Sequence, residues 1–190
     1  MFPCCWRPTA TPRTGAPDMQ LTLKPEALNA ESFAPFGELV SVRGKPVMIN
    51  NGTTERYHNL GQVTLGNSEQ MGQGILSIFR AQPRTLPMTI NMMERHPLGS
   101  QAFLPSSAEP YLVLVCLSHQ VNGEEQPDPN SFKLFLATGD EGVNYKANCW
   151  HHPLLALNRV SDFWIVDRIG PGNNLEEFFF PEDWEIVIDL

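Results

Sequence analysis

Glu94 and His96 close a run that reads Met88-x-Ile90-x-Met92-x-Glu94-x-His96. An extended chain turns alternate side chains to one face, so this side begins as core and ends in a carboxylate and an imidazole. Met93 and Arg95 point the other way. Gln101 follows, with Phe103 on the same side of the next extended segment. The second concentration of chemistry is Trp150-His151-His152-Pro153. Vicinal histidines in a strand face opposite sides, so only one of the pair turns inward, and the proline holds His152 extended. The reading favours His152, with His58 and His151 structural. Taken singly, a Glu or His at a strand end is an ordinary solvated or hydrogen-bonded residue. Glu94, His96 and His152 gathered at one mouth would be a site instead, able to move protons with pKa values brought toward neutrality by burial.

The elements that must position these groups are short strands. From Pro46 onward, apolar or alternating runs are broken by Gly, Pro and Asn: Val47 to Ile49, Gly74 to Phe79, Pro87 to Glu94, Tyr111 to Leu117, Phe132 to Thr138, Leu154 to Asn158, Ser161 to Asp167 and Trp184 to Leu190. Such spacing predicts a sandwich or barrel, and no stretch there holds a helical apolar stripe. One short helix is predicted before it, running to Phe36, with Asn29 as its N-cap and Gly37 as a left-handed stop. The expectation is an all-β domain over residues 19–190 with one or two short peripheral helices. Residues 1–18, rich in Pro and Thr, read as a disordered tail.

Composition narrows the partners. With 13 Lys+Arg against 21 Asp+Glu and a net charge of −8, the chain lacks the basic surface that nucleic acid or an anionic membrane requires. Its longest apolar run, Tyr111 to Leu117, is far short of the roughly 20 residues that span a bilayer. Cys4 and Cys5 are adjacent, and Cys116 and Cys149 stand alone, so neither a disulfide framework nor a CxxC pair is present. A cytoplasmic location is expected. The C-terminal segment, apolar and acidic, would close the barrel or lie across a second subunit.

The two chemistry-bearing stretches together resemble the paired motifs of the cupin superfamily, with Glu94-x-His96-x4-Gln101 in place of the usual H-x-H and E set. Longer phrases resemble the ureidoglycolate lyase family, formerly called ureidoglycolate hydrolase: Arg56-Tyr57-His58, Arg80-Ala81-Gln82-Pro83, Glu94 to Phe103, Gly142-Val143-Asn144-Tyr145, Trp150 to Leu154 and Asp167-Arg168. The resemblance runs from about Met19 to the C-terminus. It implies a cupin-like jelly-roll barrel, commonly a homodimer, that splits (S)-ureidoglycolate into glyoxylate and urea during allantoin breakdown.

That reaction removes a hydroxyl proton, collapses the alkoxide to an aldehyde and protonates the departing nitrogen, without consuming water. It needs a base, an acid and a carboxylate clamp. Glu94, His96 and His152 are the candidates for proton transfer. A divalent ion, nickel foremost, held by Glu94, His96, Gln101 and His152 would polarise the hydroxyl; no organic cofactor is expected. Arg56 and Arg80 are the candidate clamps, since a guanidinium binds two carboxylate oxygens at once. Either could instead pair with a structural carboxylate such as Asp162. Asn51, Asn144 and Tyr145, read as turn residues, could hold the ureido end. Two other classes remain open at this point: a non-haem oxygenase, which uses two His and one carboxylate, and a non-catalytic cupin that binds a small carboxylate.

Overall fold

The computed structural model describes residues 19–190; the tail over residues 1–18 lies outside the described residues. The Tyr111–Cys116 strand organises the rest. It is buried along its whole length, and its alternate residues enter two different cores. Tyr111, Val113 and Val115 join one cluster, and Leu112, Leu114 and Cys116 join the other. A strand covered on both faces has no position for a polar residue, which is why this run is continuously apolar.

The sheet containing it runs in the order Glu176–Phe179, Met92–Arg95, Trp150–His151, Tyr111–Cys116, Lys133–Ala137, Glu26–Ala27, with Leu155–Ala156 also paired to the central strand. A five-stranded sheet packs against one face, in the order Gly37–Val40, Gly142–Tyr145, Gln101–Pro105, Ser161–Ile169, Gln73–Ala81. Phe103, Val143, Phe163 and Ile165 from this second sheet meet Val113, Val115 and Phe135 from the first. These two sheets enclose the barrel core. The other face of the first sheet is covered by Met19–Leu23, Trp184–Ile188 and Met88–Ile90, whose Ile90, Ile186 and Ile188 complete the second cluster. The C-terminal segment therefore closes its own chain's fold.

The architecture is the all-β jelly-roll type expected, with one four-residue helix, Ala30–Phe33. Asn29 caps it, accepting a hydrogen bond from Ser32 N at 2.9 Å. Phe33 and Phe36 carry this end of the chain into the barrel core, and Phe33 lies 5.7 Å from Phe135 between ring centroids. Gly37 differs from its expected role. It begins a strand, and a Cβ there would collide with the main-chain oxygen of Asn144 on the neighbouring strand. Glycine is required by close approach of two backbones, not by a left-handed turn.

The predicted strand from Pro87 to His96 is also different. It is two strands, Met88–Ile90 and Met92–Arg95, in separate sheets. Asn91 interrupts the alternation, its carbonyl accepting from Phe180 N at 2.9 Å. Ile90 and Met93 consequently share a core, although an uninterrupted strand would have put them on opposite faces.

Candidate active site

The break at Asn91 turns Glu94 of the Met92–Arg95 strand toward the barrel, while Met93 and Arg95 take the other face. His151, on the neighbouring antiparallel strand, is the direct cross-strand partner of Glu94. Directly opposed residues project to the same side. Glu94 Oε1 and His151 Nε2 accordingly lie 3.6 Å apart. His96, just beyond the strand end, brings its ring centroid to 5.3 Å from that of His151. The ligating atoms of Glu94, His96 and His151 all lie within 4.8 Å of one another.

The main chain orients both imidazoles. His96 Nδ1 is 2.6 Å from the carbonyl oxygen of Asn174, and His151 Nδ1 is 2.9 Å from that of Cys149. A carbonyl can only accept, so each Nδ1 carries a proton, and it is Nε2 that gains or loses the second one, presenting a lone pair in the neutral form. Both Nε2 atoms are buried and lack a hydrogen-bond partner. The Tyr145 ring stacks on His151 at 4.2 Å with an interplanar angle of 13°, and Phe33 packs behind Tyr145 at 6.1 Å. The site thus rests on the barrel core.

Burial raises the Glu94 carboxyl, but the neighbouring imidazoles, His151 foremost, outweigh it and hold the group below its ordinary range. Glu94 is therefore ionised at neutral pH. Burial, reinforced by His151, lowers the His96 imidazole despite the opposing pull of Asn174 O, Glu94 and Asp167. A neutral His96 beside an ionised Glu94 is a base paired with a charge that can stabilise its conjugate acid. The same three groups, two imidazole nitrogens and a carboxylate oxygen, also fit a divalent metal ion, and the two unpartnered Nε2 atoms are the observation that supports the fit.

His151 replaces His152 in this cluster. The strand that pairs with Glu94 ends at His151. His152 then donates its main-chain N–H to Leu114 O at 2.9 Å and turns its Nδ1 to Pro153 O at 2.7 Å. Gln101 is buried in the adjacent sheet. Its Nε2 donates to Asp167 Oδ2 at 3.1 Å, which leaves Oε1 buried and without a partner.

The remaining candidates are scattered. Asn144 and Tyr145 belong to a strand, not a turn. Asn144 faces away from Tyr145, donating to Glu38 Oε2 at 2.8 Å and Gln62 O at 3.0 Å. Asn51 is exposed in a short turn with φ of 56°. Arg56 is exposed and contacts His58 Nδ1 at 2.8 Å. Arg80 takes the structural alternative: it donates twice to Asp162, at 2.7 and 2.8 Å, from the outer face of the five-stranded sheet.

A cavity of about 760 Å³ opens above Glu94, with Phe79, Phe103, Pro153 and Leu154 as apolar walls and Arg80, Gln82 and Arg84 also lining it. Sequence reasoning did not single out Arg84, and it quoted Asp167 only within the Asp167-Arg168 phrase. Arg84 lies one residue past the Arg80-to-Pro83 phrase, and Asp167 alternates with buried Phe163 and Ile165, a pattern that could have marked it as inward-facing.

Comparison with known proteins identifies the family. The family described as Ureidoglycolate lyase matches residues 20–187. A ureidoglycolate lyase of Rhizobium etli (strain CIAT 652) is 50% identical over 153 residues, 78% of this chain and 86% of that relative. One from Brucella melitensis biotype 2 is 48% identical over 162 residues, 85% and 91% of the two chains. One from Pseudomonas paraeruginosa is 46% identical over 169 residues, 88% and 96% of the two chains. The family match spans nearly all of the described fold, a range that includes both strands carrying the carboxylate and the imidazoles, and the chain belongs to the ureidoglycolate lyase family.

Proposed function

We infer that the protein cleaves (S)-ureidoglycolate to glyoxylate and urea, as an enzyme of allantoin degradation. The observation that carries the reading is the convergence of Glu94, His96 and His151 in a chain of this family, with Glu94 lining the cavity and the two imidazoles beside it. An Nε2 lone pair of the imidazole pair accepts the substrate's hydroxyl proton. The alkoxide collapses to the aldehyde of glyoxylate as the carbon–nitrogen bond breaks. The same imidazolium returns its proton to the departing nitrogen, which leaves as urea, and ionised Glu94 at 3.6 Å from His151 steadies the charge between the two transfers. Gln101 Oε1 offers an acceptor to the ureido N–H groups.

A divalent ion, nickel foremost, would be held by Glu94, His96 and His151, with Gln101 Oε1 as a further oxygen, and would supply Lewis-acid polarisation of the hydroxyl when bound. Metal-stripped and metal-restored protein incubated with racemic ureidoglycolate, with glyoxylate and urea quantified, separates the two uses of the imidazoles. Activity that survives stripping assigns them to proton transfer; activity that returns only with metal assigns them to ligation. Absence of urea under both conditions would overturn the lyase reading.

Two finer features belong to the same reading. The described residues include no helix long and apolar enough to cross a membrane, and Cys116 and Cys149 are free thiols; a cytoplasmic location is proposed, to be checked by cell fractionation. A homodimer is proposed as well, formed through the outer face of the Gln73–Ala81 and Ser161–Ile169 strands, where Leu76, Ile78 and Trp164 are 71%, 55% and 48% exposed. Sedimentation of wild type and Ile78→Glu would test it; a monomeric wild type would remove the dimer.

A further inference from the structure

The proposed substrate carries a full negative charge on its carboxylate, and among the described residues two guanidinium groups line the cavity, those of Arg80 and Arg84. Arg80 is committed. Its two hydrogen bonds to Asp162 use the planar fork that a carboxylate substrate would need, and its strand position directs it to the outer face.

Arg84 is placed differently. Its main chain is pinned, with its N–H donating to Ala156 O at 2.9 Å. Its side chain forms no ion pair or hydrogen bond with any described residue. An unpaired cation therefore faces the same opening as the ionised Glu94. A small acid entering between them has one orientation that satisfies both: carboxylate toward Arg84, hydroxyl-bearing carbon toward Glu94 and the imidazoles beside it. The reverse orientation would bring two carboxylates together.

We propose that Arg84 is the carboxylate clamp of this site and determines its selectivity for α-hydroxy acids over uncharged carbinolamides. The proposal rests on the lyase reading for the identity of the substrate, but the clamp itself can be tested with a non-reacting carboxylate. The acid enters with its charge already matched, so binding energy from Arg84 fixes which carbon faces the imidazoles.

The experiment compares wild type, Arg84→Gln, Arg84→Lys and Arg80→Gln in two assays: steady-state cleavage of ureidoglycolate and calorimetric binding of oxamate. Arg84 is exposed, so melting temperatures of its variants should match wild type. Arg84→Gln should raise KM by about 10- to 100-fold, the range for losing a charge-assisted pair, while kcat at saturation stays within a few-fold. Arg84→Lys should recover part of that loss, and Arg80→Gln should leave KM within about twofold. N-(hydroxymethyl)urea, the carbinolamide without the carboxylate, should be handled equally by wild type and Arg84→Gln. Oxamate should bind wild type and Arg80→Gln but lose at least about tenfold in affinity on Arg84→Gln. An unchanged KM and oxamate affinity in Arg84→Gln, a matching loss in Arg80→Gln, or no oxamate binding to wild type would overturn the clamp. Arg84-dependent oxamate binding in a wild type that releases no urea would instead retain the clamp and discard the lyase reading.

Discussion

Which of two adjacent histidines lies beside Glu94 is set by strand pairing and hydrogen bonds that no sequence pattern encodes. Alternation says only that His151 and His152 diverge. The deciding facts are that His151 opposes Glu94 across the ladder and that a carbonyl fixes its tautomer, while His152 turns to Pro153 O. Replacing His151 by Asn should therefore lower kcat by roughly 10²- to 10⁴-fold, the range for a positioned acid–base group, whereas His152→Asn should cost under about tenfold. Rates normalised to the folded fraction are the readout, because His151 is buried to 1% exposure and its replacement also removes the Tyr145 stack. Equal losses in the two variants would return His152 to the site. The closeness of Glu94 and His96 was legible from residue type and spacing; the place of Arg84 at the cavity was not, because an arginine on an exposed loop carries no periodicity to mark it.

At the scale of elements, most strands follow from apolar runs bounded by turn residues, and the Tyr111–Cys116 strand is legible to within a residue. The Pro87 to His96 run is instructive because its period of two continues through Asn91 in the sequence but not in space. The hydrogen bond from Phe180, 89 positions away, ends one sheet and begins another there, and local pattern contains no trace of so distant a partner. Close backbone approach is equally hidden. Gly37→Ala places a Cβ against Asn144 O, so the Gly37–Val40 and Gly142–Tyr145 strands must separate locally. The variant should lose on the order of 2–4 kcal/mol of stability in denaturant unfolding. Tyr145 moves with that strand and supports His151, so kcat should fall further than stability alone requires. A variant as stable as wild type would show that the strands tolerate the added atom.

The whole molecule begins its described fold at Met19, whose strand pairs in parallel with Trp184–Ile188. Met19 N also donates to Asp183 O at 3.0 Å. The family match starts at residue 20. Removal of residues 1–18 should consequently leave kcat and melting temperature unchanged within error, as measured by differential scanning calorimetry and initial rates. A drop of several degrees would place part of that segment against the fold. The acidic composition argued against nucleic acid and anionic membrane as main partners, and the proposed clamp at Arg84 would give the molecule a small anion to bind instead.

The central claim is that Glu94, His96 and His151 carry out carbon–nitrogen cleavage. Its most direct test is the release of glyoxylate and urea from (S)-ureidoglycolate by wild type, Glu94→Gln and His96→Asn, each with its melting temperature recorded. Wild type should release the two products in equal amounts without ammonia, and each variant should keep its fold while kcat falls by roughly 10²- to 10⁴-fold. Variants that are destabilised yet cleave at the wild-type rate per folded molecule would contradict the account.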